Sequence, residues 1–304
     1  MSMAPRPPAT PPARVPAILV HGGAGADPTD GRDELRDGMR AAVLAGWRVL
    51  AEGGRALDAV EAAVRALEDH PRFNAGRGSV LTTAGTVEMD ASIMEGDRLE
   101  CGAVAAVSRV ANPITLARRV LDGGRHVLMV ADGAHAFARA AGLPECDPAT
   151  LITDRQRRRH AASVTADAAA RSTVGAVALD RHGTAAAATS TGGTAGKLPG
   201  RVGDSAVIGC GTYADSTLGA VSCTGDGEAI MRVTLARRAL EYVKQADDPE
   251  YAARVAVDVL VEEGRGDGGL IIVDWRGRLG HATSTPYMPV AAMSPTLAEP
   301  RLLA

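Results

Sequence analysis

The C-terminal half of the chain repeats one pattern, in which a short strand, a tight turn and a second strand follow one another. The first copy begins at Thr173 with TVGAVALD, turns at residues 181–183 and continues as TAAAATST. The second copy consists of GGLIIVD, a turn at residues 276–277 and LGHATST. Tight turns join antiparallel strands, whereas parallel strands need long crossovers. The two copies therefore predict antiparallel sheets, and a doubly wound parallel sheet fits the chain poorly.

The rest of the chain supplies helices that can cover such sheets. Apolar residues at helical spacing predict helices at about residues 33–51, at 57–67, onward from residue 112, and at about 228–245. Further strands are predicted at residues 17–20, on both sides of a turn at Gly85, at 101–107, and at GAVSCT. Because apolar faces of sheets must be buried, helices are expected to cover them. We therefore expect an α/β protein of the α+β type, a four-layer αββα sandwich of two antiparallel sheets between helices.

Two segments fall outside this pattern. Residues 1–16 are rich in proline, which predicts a disordered tail before a single domain spanning residues 17–304. Residues 143–172 contain two prolines and a largely basic run from Arg155 to His160. We expect this stretch to be a long, solvated connection that is helical or mobile in places. It ends abruptly at Thr173, where the first hairpin begins.

The composition excludes several classes of function. The chain has 33 basic and 36 acidic side chains, a balance that fits neither nucleic-acid binding nor an anionic membrane surface. Aromatic residues form 3% of the chain, too few for base-stacking platforms. The four cysteines lack C-x-x-C spacing and the seven histidines form no ligand pair, so we expect neither disulfides nor a transition-metal site. Without an apolar leader or membrane-length segment, we expect a cytoplasmic protein.

Threonines beside glycines at strand ends are the candidate catalytic groups. The chain has no G-x-S-x-G elbow and no P-loop. A strand threonine is usually structural, but one that carries a free α-amine can use that amine as its own base, since an α-amine titrates near pH 8. Cleavage after Ser172 would give Thr173 such an amine, and the exposed connection before it suits cleavage. Glu88 and Asp90 are better explained by buried hydrogen bonding than by a carboxylate dyad or metal site.

Eight short motifs follow one another along the chain: HGGAG, FNAGRGSVLT, VEMDASIMEG, STVGAVALD, TSTGG, GRVGDS, GCGTYA and SCTGDGE. Together they resemble the plant-type isoaspartyl peptidases/L-asparaginases, a family of N-terminal nucleophile hydrolases. The resemblance covers nearly the whole chain apart from the tail, the 143–172 connection and the far C-terminus. It implies the N-terminal nucleophile hydrolase fold and self-cleavage into residues 1–172 (an alpha subunit) and 173–304 (a beta subunit). It implies no catalytic cofactor.

The resemblance also implies catalytic roles for individual residues. Thr173 matches the nucleophile that self-cleavage exposes, and Thr191 matches a threonine that hydrogen-bonds it. Thr224 and Gly225 match the donors of the oxyanion hole. Asn74 matches an asparagine close to the nucleophile. Ser172 occupies a position where the family usually has glycine, so the resemblance leaves the efficiency of self-cleavage open.

Substrate and ion binding are implied in the same way. Arg201 and Asp204 match the pair that holds the α-carboxylate and the α-ammonium of the substrate, and an arginine fork suits a carboxylate. The substrate-facing stretches around them comprise Arg201, Val202, Gly203 and Asp204, and then Thr224, Gly225, Asp226 and Gly227. A structural sodium ion is implied at the backbone carbonyls of Leu67, Glu68, His70, Phe73, Ala75 and Arg77.

The resulting expectation is an amidohydrolase that releases L-aspartate from β-aspartyl (isoaspartyl) dipeptides and from L-asparagine. Two alternatives stay open: a glycosylasparaginase-type hydrolase, and an unprocessed, non-catalytic binding protein, which Ser172 makes conceivable. TSTGG and the scarcity of aromatic residues argue against the first. The family implies a homodimer of processed protomers, with small-molecule substrates and neither nucleic-acid nor membrane partners. Near the C-terminus, TSTPYM keeps only Thr285 and Met288 of the family pattern.

Overall fold

Helices and strands alternate along the part of the chain that the computed structural model describes, residues 14–28, 30–163 and 173–303. The strands are β1 (Ala17–His21), β2 (Met89–Glu95), β3 (Cys101–Val107), β4 (Leu128–Val130), β5 (Val174–Leu179), β6 (Ala185–Thr191), β7 (Thr212–Asp215), β8 (Gly219–Gly225), β9 (Gly268–Asp274), β10 (Leu279–Thr283), β11 (Val290–Met293) and β12 (Arg301–Leu303). The helices are α1 (Arg32–Ala51), α2 (Ala56–Asp69), α3 (Pro113–Gly123), α4 (Ala131–Ala140), α5 (Asp154–Ser163), α6 (Gly227–Val233), α7 (Leu235–Ala246) and α8 (Pro249–Glu262). None of these helices is long and apolar enough to cross a bilayer.

The strands form two sheets. One has eight strands in the order β12-β11-β1-β5-β6-β2-β3-β4, and the other has four in the order β10-β9-β8-β7. Both predicted hairpins are confirmed, since β5 pairs with β6 and β9 pairs with β10, each antiparallel. The expectation of two purely antiparallel sheets is wrong at one edge, because β3 and β4 are parallel. Helix α3 lies between them and forms the crossover that a parallel pair requires.

The layers follow from the alternation of side chains along the strands. In β6, Ala185 and Ala187 face the four-stranded sheet, while Ala186 and Ala188 face the helices on the other side. All four alanines are fully buried. Helices α1, α2 and α3 cover the outer face of the large sheet, and α7 and α8 cover the small sheet. The predicted four-layer αββα sandwich is therefore confirmed.

Several elements differ from the sequence expectation. The single helix predicted at 228–245 is two helices, because Thr234 adopts a left-handed conformation (φ 49°) between α6 and α7. Before Gly85 no strand forms, although Val80 and Leu81 are buried. The 143–172 connection contains α5, whose Gln156 is buried and donates to the carbonyl of Gly78 at 2.8 Å, so it is not wholly solvated. Residues 164–172, with Ser172, lie outside the described residues.

The predicted tail is described only at its last three residues. Residues 14–16 precede β1, and the backbone N–H of Val15 donates to the carbonyl of Arg276 at 3.0 Å in the turn of the second hairpin. Residues 1–13 lie outside the described part of the chain.

Candidate active site

The first hairpin places Thr173 beside Thr191. Val174 of β5 is paired with Ser190 of β6, so the residue before β5 lies opposite the last residue of β6. The Oγ1 of Thr173 donates to the Oγ1 of Thr191 at 3.1 Å, although the two residues are eighteen positions apart. Thr173 is 5% exposed and Thr191 2%. The predicted contact between these hydroxyls is therefore present, in a nearly dry environment.

Asn74 fixes the turn that follows Thr191. Its Nδ2 donates to the carbonyl of Gly193 at 2.7 Å, its Oδ1 accepts the N–H of Val80 at 2.8 Å, and its carbonyl accepts the N–H of Gly192 at 2.9 Å. Only glycine fits at position 192, since a Cβ there would lie 2.5 Å from the Oδ1 of Asn74. The N–H of Gly193 in turn donates to the Oγ1 of Thr191 at 2.9 Å. Asn74 is thus placed close to Thr191, the hydrogen-bond partner of Thr173, through this turn.

A small pocket opens beside Thr173. Its volume is about 10 Å³, and it is lined by Thr173, Thr191, Gly193, Thr194, Arg201, Asp204, Gly225 and Gly227. Six of these eight residues are among the predicted site residues. Gly193 and Thr194 are additions, and the signal that could have identified them is the TSTGG motif, which contains Gly193 and ends directly before Thr194.

Arg201 and Asp204 carry opposite charges at this pocket but do not form a hydrogen-bonded pair. The Nε and an Nη of Arg201 donate to the carboxylate of Glu228 at 2.8 and 2.7 Å. Glu228 ends the SCTGDGE motif and was not a predicted site residue. Asp204 is 4% exposed, and its Oδ2 accepts no hydrogen bond from any described residue. Burial raises the pKa of Asp204 to about 7, although the Arg201 guanidinium opposes this shift.

The predicted oxyanion residues lie at the end of β8. The Oγ1 of Thr224 accepts the N–H of Ala24, in the HGGAG loop, at 3.2 Å, and so keeps its own proton for a second acceptor. Gly225 has a φ of 136°, and a Cβ there would lie 2.3 Å from the carbonyl of Asp267, so only glycine fits. Asp226 is the N-cap of α6 and accepts the N–H of Ala229 at 3.4 Å.

Buried charges hold the loop that carries Arg201. Asp90 accepts the N–H of Ala106 at 2.9 Å and the N–H of Gly203 at 3.3 Å. The Nζ of Lys197 donates to the carbonyl of Glu88 at 2.8 Å. Burial raises the pKa of Asp90 and lowers that of Lys197, and their mutual attraction opposes both shifts. The buried hydrogen-bonding interpretation is confirmed for Asp90, whereas the side chain of Glu88 is half-buried and its carboxylate accepts the N–H of Gly200 at 2.7 Å. Val202, between Arg201 and Gly203, is half-buried.

A buried chain of hydroxyls lies between the sheets behind Thr173. The Nε2 of His21 hydrogen-bonds the Oγ of Ser222 at 2.9 Å, and Ser222 contacts the Oγ1 of Thr189 at 2.7 Å. Burial lowers the pKa of His21 to about 3, while the nearby backbone of Thr173 opposes the shift. The imidazole therefore remains neutral above this pH and is too weak a base to activate Thr173 near neutrality.

The predicted sodium loop joins α2 to the segment before β2. Its carbonyls at Leu67, Glu68 and His70 accept backbone N–H groups between 2.8 and 3.3 Å. Those at Phe73, Ala75 and Arg77 accept no hydrogen bond from any residue that the structure describes. Phe73 and Ala75 are buried and Arg77 is exposed. Carbonyls without a donor suit a hard cation with oxygen ligands. Within the same described residues, no group of three or more His, Cys, Asp or Glu side chains could hold a metal ion.

Comparison with known proteins identifies the family of the chain. A family model described as asparaginase matches residues 14–299. The isoaspartyl peptidase/L-asparaginase of Danio rerio is 46% identical over 285 residues, which are 91% of this chain and 92% of that protein. The Homo sapiens protein of the same name shows the same identity and coverage. The plant-type L-asparaginase of Pyrococcus abyssi is 45% identical over 302 residues, 93% of this chain and 98% of that protein. The chain therefore belongs to the asparaginase family.

Proposed function

We propose that this protein is an amidohydrolase that releases L-aspartate from β-aspartyl dipeptides and from L-asparagine. The relatives named above are isoaspartyl peptidases and L-asparaginases, and they align with nearly the whole chain. The observation that carries the proposal is the 3.1 Å contact between the hydroxyls of Thr173 and Thr191, beside a pocket that Arg201 and Asp204 also line.

The charges of the pocket suit an amino-acid zwitterion. The planar fork of Arg201 can bind the α-carboxylate with two hydrogen bonds. The Oδ2 of Asp204 has no hydrogen-bond donor among the described residues and can accept a hydrogen bond from the α-ammonium group. With both α-groups held, the side-chain amide of the substrate extends toward Thr173. This arrangement selects an aspartyl side chain over a simple amide.

We propose that Thr173 acts in two steps. Its Oγ1 attacks the side-chain carbonyl carbon while its α-amine takes the hydroxyl proton, and the resulting oxyanion is stabilised by the Thr224 hydroxyl and by Gly225. The C–N bond then breaks, the amine passes its proton to the leaving nitrogen, and a β-aspartyl ester remains on Thr173. Water adds to the ester with the same amine as base, and L-aspartate leaves. Thr191 accepts a hydrogen bond from Thr173 at 3.1 Å and so orients the nucleophile.

The α-amine of Thr173 exists only after cleavage of the Ser172–Thr173 peptide bond. We propose that the hydroxyl of Thr173 attacks the carbonyl of Ser172, which moves the acyl group from nitrogen to oxygen before water releases it. The products are residues 1–172 and 173–304, and we expect two such processed protomers to form a homodimer.

The carbonyls of the 67–77 loop would hold a sodium ion in a structural role, with no part in the reaction. The unpaired state of all four cysteines suits the cytoplasm.

The substitution Arg201→Lys tests how the substrate is held. Lysine keeps the charge but lacks the fork, so a lost bidentate contact should cost about 1.5–3 kcal/mol, roughly ten- to a hundredfold in kcat/KM. Self-cleavage involves no free substrate and should largely persist. The assay is steady-state hydrolysis of β-Asp-Leu and L-asparagine by processed protein, with fragment ratios read from a gel.

The matched control for this experiment is Arg238→Lys. Arg238 makes an equivalent two-bond ion pair with Glu263, at 2.7 and 2.8 Å, on the exposed surface. This control should hydrolyse both substrates like the wild type. If cleaved Arg201→Lys protein also retains wild-type efficiency, Arg201 does not bind the carboxylate and the placement of the substrate is wrong.

A further inference from the structure

A second, larger cavity adjoins the catalytic residues. It has a volume of about 590 Å³, and both Asn74 and Gly225 line it. The HGGAG loop and residues 285–287 line part of it. Helix α5 contributes Arg155 and Arg159 to its lining. The basic run singled out in the sequence therefore lines a cleft that shares Gly225 with the pocket beside Thr173.

Most charged groups of this cleft are already paired. Arg72 contacts Asp30 and Glu34 at 3.2 and 3.3 Å, and Asp27 is paired with Arg32. These carboxylates therefore already have arginine partners that do not belong to α5.

The last acidic residue of the cleft, Asp267, accepts a hydrogen bond from the hydroxyl of Ser284 at 3.1 Å. It lies in the loop before β9, far from α5 along the chain. Among the described residues it has no ion pair with either arginine of that helix.

The two arginines of α5 are the exception. Within the described part of the chain, Arg155 donates only to the backbone carbonyl of Arg72, at 3.3 Å. Arg159 makes no hydrogen bond or ion pair with any residue that the structure describes. Both side chains are half-buried, and burial lowers the pKa of each. At Arg155 the nearby charges of Arg72 and Arg159 add to this shift, while Asp30 and Glu34 oppose it. Among the described residues, neither guanidinium group makes an ion pair or a hydrogen bond with a carboxylate.

We propose that Arg155 and Arg159 bind the α-carboxylate of the leaving amino acid of a β-aspartyl dipeptide. This inference rests on the proposed function. Such a substrate has two carboxylates, one on the aspartyl half and one on the residue that leaves. Arg201 serves the first, and we place the second in the cleft, which meets the pocket beside Thr173 at Gly225. Guanidinium groups are the side chains best suited to a carboxylate.

Binding by the α5 arginines makes the leaving group a determinant of specificity. L-Asparagine releases ammonia and cannot use the α5 arginines, whereas β-Asp-Leu can. A dipeptide whose C-terminal carboxylate is replaced by an amide keeps its shape and size but loses the charge. The site therefore favours free β-aspartyl dipeptides over both L-asparagine and amidated dipeptides.

Kinetics of processed full-length protein with β-Asp-Leu, β-Asp-leucinamide and L-asparagine test this site. The measured quantity is kcat/KM for β-Asp-Leu divided by kcat/KM for L-asparagine, which isolates the leaving group because the acyl half is shared. In Arg155→Gln and in Arg159→Gln this ratio should fall about tenfold, mainly through KM for the dipeptide. Wild-type enzyme should prefer β-Asp-Leu to its amide by about tenfold, a comparison that requires no variant.

The matched control is Arg158→Gln, which makes the same charge change at an exposed position of the same helix. Its ratio should equal that of the wild type. Wild-type ratios in both cleft variants, together with equal hydrolysis of dipeptide and amide, would overturn the leaving-group site while leaving the proposed function intact. Failure of processed wild-type protein to hydrolyse L-asparagine or β-Asp-Leu would overturn the proposed function, and this inference with it.

Discussion

At Arg201, two donors of the guanidinium are engaged by Glu228, and these are the donors that we assign to the carboxylate of the substrate. Glu228 is about half exposed while Arg201 is mostly buried. The carboxylate of the substrate therefore competes with an internal carboxylate for the same fork. The pocket beside Thr173 has a volume of about 10 Å³, which is room for about one water. This small volume agrees with a guanidinium fork that Glu228 holds in place.

Glu228→Gln should strengthen substrate binding. Glutamine keeps the shape but loses the charge, so Arg201 is released more readily, and KM for L-asparagine should fall about three- to tenfold with little change in kcat. Steady-state kinetics of processed protein measure this effect. Glu263→Gln removes the equivalent exposed pair with Arg238 and should leave KM unchanged. A higher KM for Glu228→Gln would mean instead that Glu228 contacts the substrate directly.

The raised pKa of Asp204 gives the reaction a pH dependence. Its carboxyl is neutral below about pH 7 and becomes the anion that holds the α-ammonium only above it. The α-amine of Thr173 must also be unprotonated, and such amines titrate near pH 8. We therefore expect kcat/KM for L-asparagine to fall as the pH drops through about 8 and then 7, more steeply than one ionisation allows. A profile that stays flat down to about pH 5 would contradict both assignments.

The candidate catalytic residues were predictable where a motif contained them. Thr173 and Thr191 followed from the first hairpin and from the resemblance, and Arg201 and Asp204 from GRVGDS. What the sequence could not provide was the pairing of Arg201 with Glu228, because that contact depends on how the loop before residue 204 packs on α6. The deep burial of Asp204 could not be predicted either. An arginine and an aspartate three residues apart are typical of a surface pair, and only the packing of the surrounding layers shows that Asp204 is buried.

At the scale of elements, the break between α6 and α7 is the clearest departure from the predicted helices. Thr234 is exposed and adopts φ 49° and ψ 52°, a conformation that a β-branched residue disfavours. The apolar spacing continues across it, so periodicity alone predicts one helix. The left-handed residue separates the two helices, and α7 packs on β7 and β8 of the small sheet.

Thr234→Asn should stabilise the protein, because asparagine tolerates the left-handed conformation better than threonine. The free energy of unfolding should rise by about 0.5–1 kcal/mol in urea titrations. Thr83→Asn is the control, since Thr83 is equally exposed but has no positive φ, and it should change stability little. A loss of stability at position 234 would show that the hydrogen bond from its hydroxyl to the carbonyl of Val233, at 2.8 Å, outweighs the backbone strain.

The central hairpins of the two sheets were predictable from short stretches of sequence, whereas the pairing of the edge strand β4 was not. The hairpins β5–β6 and β9–β10 consist of short strands joined by short glycine turns, which fix both pairing and direction. Strand β4 has only three residues, and its parallel pairing depends on the crossover through α3. Helix α8 had a usable signal, because Asp248 caps it and Pro249 occupies its first position.

At the scale of the whole molecule, the proposed cleavage divides the chain without dividing the fold. In the large sheet, β5 from the C-terminal piece lies between β1 of the N-terminal piece and β6 of its own piece, and β6 pairs in turn with β2 of the N-terminal piece. The site is shared in the same way, since Asn74 comes from one piece and Thr173 from the other. Interleaved strands hold the two pieces together and keep the new N-terminus inside the sheet.

The central claim is that Thr173 becomes the N-terminal nucleophile, and denaturing intact-mass measurement with N-terminal sequencing tests it most directly. Freshly purified protein should yield two pieces, and the smaller should read Thr-Val-Gly-Ala-Val, with hydrolysis of L-asparagine increasing in proportion to the cleaved fraction. Thr173→Ala should remain one inactive chain, because it lacks the hydroxyl that starts the acyl shift. Activity from an uncleaved chain, or from a piece that begins at another residue, would contradict the account.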